Sequence, residues 1–171
     1  MSGAARPRDD EAAPSYRGYI SLVPHGDVVA TLAAQIGETA ALVAGAEPDS
    51  RYAPGKWTVA ETLGHMTDTE RVFAFRALWF ARGDTAPLPG FDQDQFVAVR
   101  DVSGLDVSTL LDEFRAVRAS TLSLLRGLDA AAWDRRGTAS GHPMSTRGAA
   151  YVIAGHERHH AAILRDRYLA S

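Results

Sequence analysis

The sequence predicts an all-α protein built as a four-helix bundle. Four long segments repeat apolar residues at helical spacing, no segment alternates in the manner of a strand, and the connections carry turn-forming residues. The 171 residues, 46% of them hydrophobic, suffice for one core.

Residues 1–17 are rich in Ala, Pro, Arg and Asp without an apolar period, so they are expected to form a mobile tail, leaving 18–171 as the bundle domain. The first helix is expected over 26–46, where Val28, Val29, Leu32, Ile36, Ala40 and Val43 share a face. Pro48, Asp49, Pro54 and Gly55 mark the next stretch as a loop. Thr58 and Glu61 then stand at the spacing of a capping box, where hydroxyl and carboxylate satisfy each other's backbone donors, so a second helix runs from Val59 to Arg82 and stops at Gly83. Residues 84–106 are irregular, with Pro87, Pro89 and Gly90 before one short helical piece, and a loop this long in a small domain often has a functional cause. Leu110, Leu111, Phe114, Val117, Leu122 and Leu125 define the third helix over 107–128. Gly141, His142 and Pro143 predict a turn across 137–145, and Thr146 is the expected cap of a fourth helix reaching Leu169.

The formal charge of −3 comes from intermingled acidic and basic residues, which argues against a nucleic-acid partner. No apolar run approaches the ~20 residues of a membrane span, and the first residues lack a signal peptide's apolar stretch, so a cytoplasmic protein is expected. With no cysteine, the chain can supply neither a thiolate ligand nor a thiol nucleophile.

The chemistry concentrates in His156, His159 and His160 of the fourth helix. On a helical wheel His156 and His160 fall within the buried stripe of Ala149, Val152, Ile153 and Ile163, an arc of about 100°, while His159 lies at its edge. Two unpartnered imidazoles in an apolar core would cost roughly 1–3 kcal/mol each, and a metal is the simplest compensation. His65, flanked by Leu63 and Met66, is the preferred third ligand, because His25 and His142 sit in polar surroundings. Three nitrogen ligands leave coordination positions open, as catalytic sites require. Asp68 and Glu61 share the face of His65, and with Glu157 they are the candidate proton acceptors.

The segment 156–160 also satisfies the H-E-x-x-H pattern of zinc proteases. Only 11 residues follow His160, none of them His or Glu, so the downstream ligand of those enzymes is missing. Among weaker candidates, Asp92 and Asp94 could border a pocket, and Arg76 or Arg147 could hold an anionic group. Trp57, Trp79 and Trp133, with Phe73, Phe75 and Phe80, read as packing. Gly148, Gly155 and Ala162 would let a neighbouring segment approach closely.

Three segments in order, from Lys56 through His65 to Glu70, from Leu88 to Asp94, and from Ile153 to His160, resemble the DinB-like superfamily, in particular its YfiT-type branch of metal-dependent hydrolases and thiol S-transferases. The resemblance spans almost the whole chain. It implies an antiparallel four-helix bundle, often a homodimer, with a divalent metal on His65, His156 and His160, the triad that the wheel also selects. Zn²⁺ or Ni²⁺ suits three imidazoles first, with Mn²⁺ or Fe²⁺ after them. It further implies activation of a low-molecular-weight thiol for S-transfer, or of water for hydrolysis. The alternative is a non-catalytic, stress-associated bundle that binds a metal or small molecule.

Overall fold

The structure is a computed structural model that describes residues 5–170. Its long helices are α2 (Val28–Leu42), α3 (Val59–Ala81), α5 (Val107–Arg126) and α7 (Thr146–Ile163), the four that periodicity predicts. Around them stand α1 (Arg17–Ser21), α4 (Gln93–Val99), α6 (Ala130–Asp134) and a hairpin of β1 (Arg136–Ala139) and β2 (His142–Ser145), and the chain closes with a π-helical turn, Leu164–Tyr168. No helix among the described residues is long and apolar enough to cross a membrane.

Helix starts follow the local chemistry. The capping box at α3 is formed: Thr58 N–H donates to Glu61 Oε2 at 2.6 Å and Glu61 N–H to Thr58 Oγ1 at 3.0 Å. Asp27 caps α2, Asp92 caps α4 and Asp106 caps α5 through their side chains. The cap of α7 is Ser145, which accepts from Gly148 N–H at 2.9 Å, and not the expected Thr146, which is already helical.

In the bundle, α3 packs on α5 and α7, and α2 packs on the same two helices. The contacts give the directions. Tyr168, just past α7, donates to the carbonyl of Trp57, just before α3, at 2.6 Å, so α3 and α7 are antiparallel. Asp68 shares Arg100 with Glu113, Glu70 meets Arg118, and Leu78 lines one hollow with Leu124, so α3 and α5 run the same way. Likewise Gln35 donates to Ala154 O while Thr39, one turn on, donates to Glu157, which sets α2 parallel to α7. A chain that enters two parallel helices in succession must travel back along the bundle. For a 23-residue α3 that is about 35 Å, and this return is the topological reason for the long stretch between α3 and α5.

Two apolar clusters fill the core. One joins Leu32, Phe73, Phe80, Leu125, Trp133, Met144 and Val152, and the other joins Val43, Leu63, Met66, Leu110, Phe114 and Leu164. Between them lies a polar layer to which every long helix contributes: Gln35 and Thr39 from α2, Glu70 from α3, Arg118 from α5 and Glu157 from α7, all at most 2% exposed. Arg118 forks onto both oxygens of Glu70 at 2.9 and 2.6 Å and reaches Glu157 Oε2 at 2.7 Å, while its third arm donates to Leu32 O at 2.6 Å. Gln35 and Thr39 donate to the two Glu157 oxygens at 2.9 and 2.7 Å. The guanidinium is held firmly protonated, because the carboxylates around it outweigh its burial.

Two expectations need correction. The predicted mobile tail describes neither residues 5–16 nor Arg17, the first residue of α1, and residues 1–4 lie outside the described part. Glu11, Ala12 and Ala13 are buried, Arg6 donates to Ile20 O and Val23 O, and Glu11 O accepts from Ser145 N–H at 3.0 Å. A side chain at Gly148 would fall on the backbone of Glu11 and one at Gly155 on the backbone of Tyr19, so both glycines serve the close approach expected of them, with the N-terminal segment as the neighbour. The turn expected over 137–145 is mostly paired strand, and only Ser140 and Gly141 form the hairpin's tip. Ser140 and Gly141 carry positive φ of 54° and 77°, a two-residue loop whose twist matches paired strands.

Candidate metal centre

His65 stands in the second turn of α3, and His156 and His160 stand one turn apart on α7, facing it. Their exposures are 3%, 5% and 9%, and one ring nitrogen from each lies within 4.8 Å of the others. His65 Nε2 and His156 Nε2 are 2.9 Å apart. The ring centres are 4.5–4.8 Å from one another, a closed triangle. Trp57 covers it from outside, 4.7 Å from the His65 ring and stacked at 6.4 Å on His160, and Tyr19 meets His156 edge-on at 5.4 Å. Gly155 makes that last contact possible, since it admits α1 against α7.

Burial favours neutral imidazoles. It lowers the pKa of His65 from 6.5 to about 4, against the opposing charges of Asp68 and Asp94, and lowers that of His160 to about 3. His156 is driven well below 6.5 by the same desolvation, reinforced by its two ring neighbours. Neutral rings with converging lone pairs are what a metal needs, and no carboxylate hydrogen-bonds to any of the three rings among the described residues. The donor set fits a divalent ion of borderline softness at ~2.0–2.1 Å from each nitrogen.

These depressed values make acid a denaturant of the metal-free protein. The unfolded chain binds protons near pH 6.5 that the folded rings refuse until about pH 4 or 3, so this stability is complete above pH 6.5 and is lost as pH falls through that window. Each imidazole adds a slope of up to about 1.4 kcal/mol per pH unit. Urea unfolding of chelator-treated protein at pH 7 and pH 5 measures it. Equal stabilities would mean that the folded rings protonate freely.

The remaining candidates are placed as follows. His159 is half-buried at the edge, 5.0 Å from the His160 ring and 5.2 Å from Tyr19. His25 and His142 are exposed. Glu61 is held in the capping box. Glu157 points away from the histidines into the Arg118 layer, where burial raises its pKa against the pull of Arg118. Asp68 is bridged by Arg71 at 2.9 Å and Arg100 at 2.8 Å, both also held by Glu113. Asp92 acts as a helix cap, and Asp94 is exposed in the first turn of α4. Arg147 pairs with Glu11 and Asp134, whereas Arg76 is 1% exposed with no carboxylate in ion-pair range among the described residues. Its Nη2 donates to Pro89 O at 3.0 Å and Ser140 Oγ at 2.9 Å.

Glu70 and Arg118 were not singled out by sequence reasoning. Their signal is a charge inside an apolar stripe: Arg118 falls between Phe114 and Leu122 at four-residue spacing, and Glu70 falls between Met66 and Phe73.

A family model described as the DinB superfamily matches residues 31–164. Among solved structures, the chain is similar to YfiT from Bacillus subtilis, described as a probable metal-dependent hydrolase with an unusual four-helix bundle topology, at a TM-score of 0.70 and 18% identity, over 98% of this chain and 93% of that one. No curated protein matches the sequence.

Proposed function

The chain belongs to the DinB superfamily, and from that membership together with its three-histidine cluster we propose that it is a metal-dependent enzyme acting on a small molecule, with His65, His156 and His160 as the ligands of a divalent ion. The observation that carries the proposal is the convergence of three buried, neutral imidazoles on one point at the junction of two helices. A divalent ion there would supply Lewis acidity, lowering the pKa of a bound water or thiol toward neutrality. The chain contributes the rest. Trp57 and Tyr19 keep bulk water from two sides of the cluster. Its lack of cysteine means that any thiol nucleophile arrives with a substrate, for which we propose a low-molecular-weight thiol. Of the three carboxylates considered as proton acceptors, Asp68 retains the claim. Although Arg71 and Arg100 bridge it, it is partly exposed and its charge acts on His65, whereas Glu61 lies in a cap and Glu157 turns away into a buried ion layer.

Purified protein is incubated with a panel of low-molecular-weight thiols and an electrophilic acceptor, and separately with activated esters, with and without Zn²⁺, Ni²⁺ or Mn²⁺. The expected result is turnover that requires added metal and disappears in His65→Ala. A protein that binds stoichiometric metal yet turns over none of these substrates would be the non-catalytic binder instead.

A further inference from the structure

Beside the histidine cluster lies a cavity of about 160 Å³, lined by Tyr16, Tyr19, Thr69, Phe73, Phe91, Gln93, Val152 and His156. Four of these walls are aromatic rings, Gln93 is exposed at the rim, and His156 is shared with the cluster. A cavity of this size elsewhere accommodates a benzene ring.

Thr69 marks the cavity as more than a packing gap. Two other threonines of α3, Thr62 and Thr67, donate to the carbonyl four residues earlier, at 2.8 and 2.9 Å. Thr69 does not. Its hydroxyl is buried, the residue is 3% exposed, and no partner among the described residues satisfies it. A buried hydroxyl without a partner is uncommon and costly, which calls for a hydrogen-bonding occupant.

The aromatic walls are braced from behind. The Arg76 guanidinium sits 4.7 Å from the Phe73 ring centre and 5.8 Å from that of Phe91, and its bonds to Pro89 and Ser140 tie the loop carrying Phe91 to the hairpin. Leu88 completes the tie through Thr138 O at 2.9 Å and Ser140 N–H at 3.1 Å. Tyr16 meets Phe73 edge-on at 5.4 Å. The cavity is thus walled by flat aromatic rings, with Gln93 at its rim and Thr69, whose hydroxyl lacks a partner among the described residues, in its lining.

We infer that this cavity is the subsite for the acceptor substrate and takes a flat, ring-sized group bearing one hydrogen-bonding atom, which Thr69 Oγ1 engages. The assignment of the occupant as a substrate rests on the metal-centre reading, through His156; the binding itself does not.

The test uses phenol and toluene as probes, titrated into the full-length protein with and without Zn²⁺ and followed by the aromatic proton resonances. Phenol is expected to bind about tenfold more tightly than toluene, one hydrogen bond's worth, with shifts at Tyr16, Tyr19, Phe73 and Phe91. Thr69→Val should bring the two probes to within about twofold, and Thr69→Ser should keep the preference. Equal affinities in the unaltered protein, shifts confined to other residues, or no binding of either probe would overturn the inference, the last leaving a hydration site. In His65→Ala the phenol preference should persist while metal binding is lost, so failure of the metal reading and failure of the subsite give different results.

Discussion

Arg118→Met lowers the unfolding free energy by about 3–5 kcal/mol, the expected cost of leaving carboxylates buried without their counter-charge. Glu70 and Glu157 are each 2% exposed, and both lean on the single positive charge of Arg118. Methionine fills much of the same volume, so the loss reads charge rather than a cavity. Urea unfolding of the variant checks this. A loss below about 1 kcal/mol would mean that the two carboxyls protonate or reach water at little cost. The triple replacement Glu70→Leu, Arg118→Met and Glu157→Leu should recover most of the loss, because an ion triad buried in this way rarely outperforms well-packed apolar residues.

His160→Ala is expected to abolish the proposed metal binding. Its ring is one corner of the triangle with His65 and His156, and two imidazoles alone cannot complete the site. Affinity should fall by more than the ~10–100-fold typical of losing an outer partner of a metal ligand. Elemental analysis after reconstitution and dialysis should drop from about one equivalent to background. His159→Ala, by contrast, should retain metal to within that ~10–100-fold range, because His159 belongs to the edge of the cluster. Comparable losses in the two variants would exchange their roles, and retention of metal in His160→Ala would refute the triad.

Much of this architecture is legible in the sequence because its causes are local. Thr58 and Glu61 announce the start of α3 three residues apart, and Gly83, with a φ of 82°, closes the turn after it. The wheel of the fourth helix separates His160, 9% exposed, from the half-buried His159 without any knowledge of what α7 packs against. What escaped has causes distant in the chain. The N-terminal segment lies ordered because Gly148 and Gly155, well over a hundred residues away, leave room for its backbone. Composition cannot report that. The hairpin was hidden by its short strands, although Ser140-Gly141 is a loop that only twisted, paired strands use well. Glu157 looked like a candidate base because it lies within the motif, yet its side chain turns to a partner on another helix, and no single-helix pattern reveals Arg118 on the far side.

The polar layer also acts as an alignment key for the bundle. Apolar clusters above and below it would tolerate one helix sliding along another, since leucine against leucine is nearly indifferent to position. A slip of one turn, about 5.4 Å, would carry Glu70 or Glu157 away from Arg118 and into hydrocarbon. His65 lies five residues before Glu70 on α3, and His156 and His160 bracket Glu157 on α7. Fixing the heights of the two glutamates therefore fixes the heights of the three imidazoles. The ions set the helices level, and the histidines meet because they do.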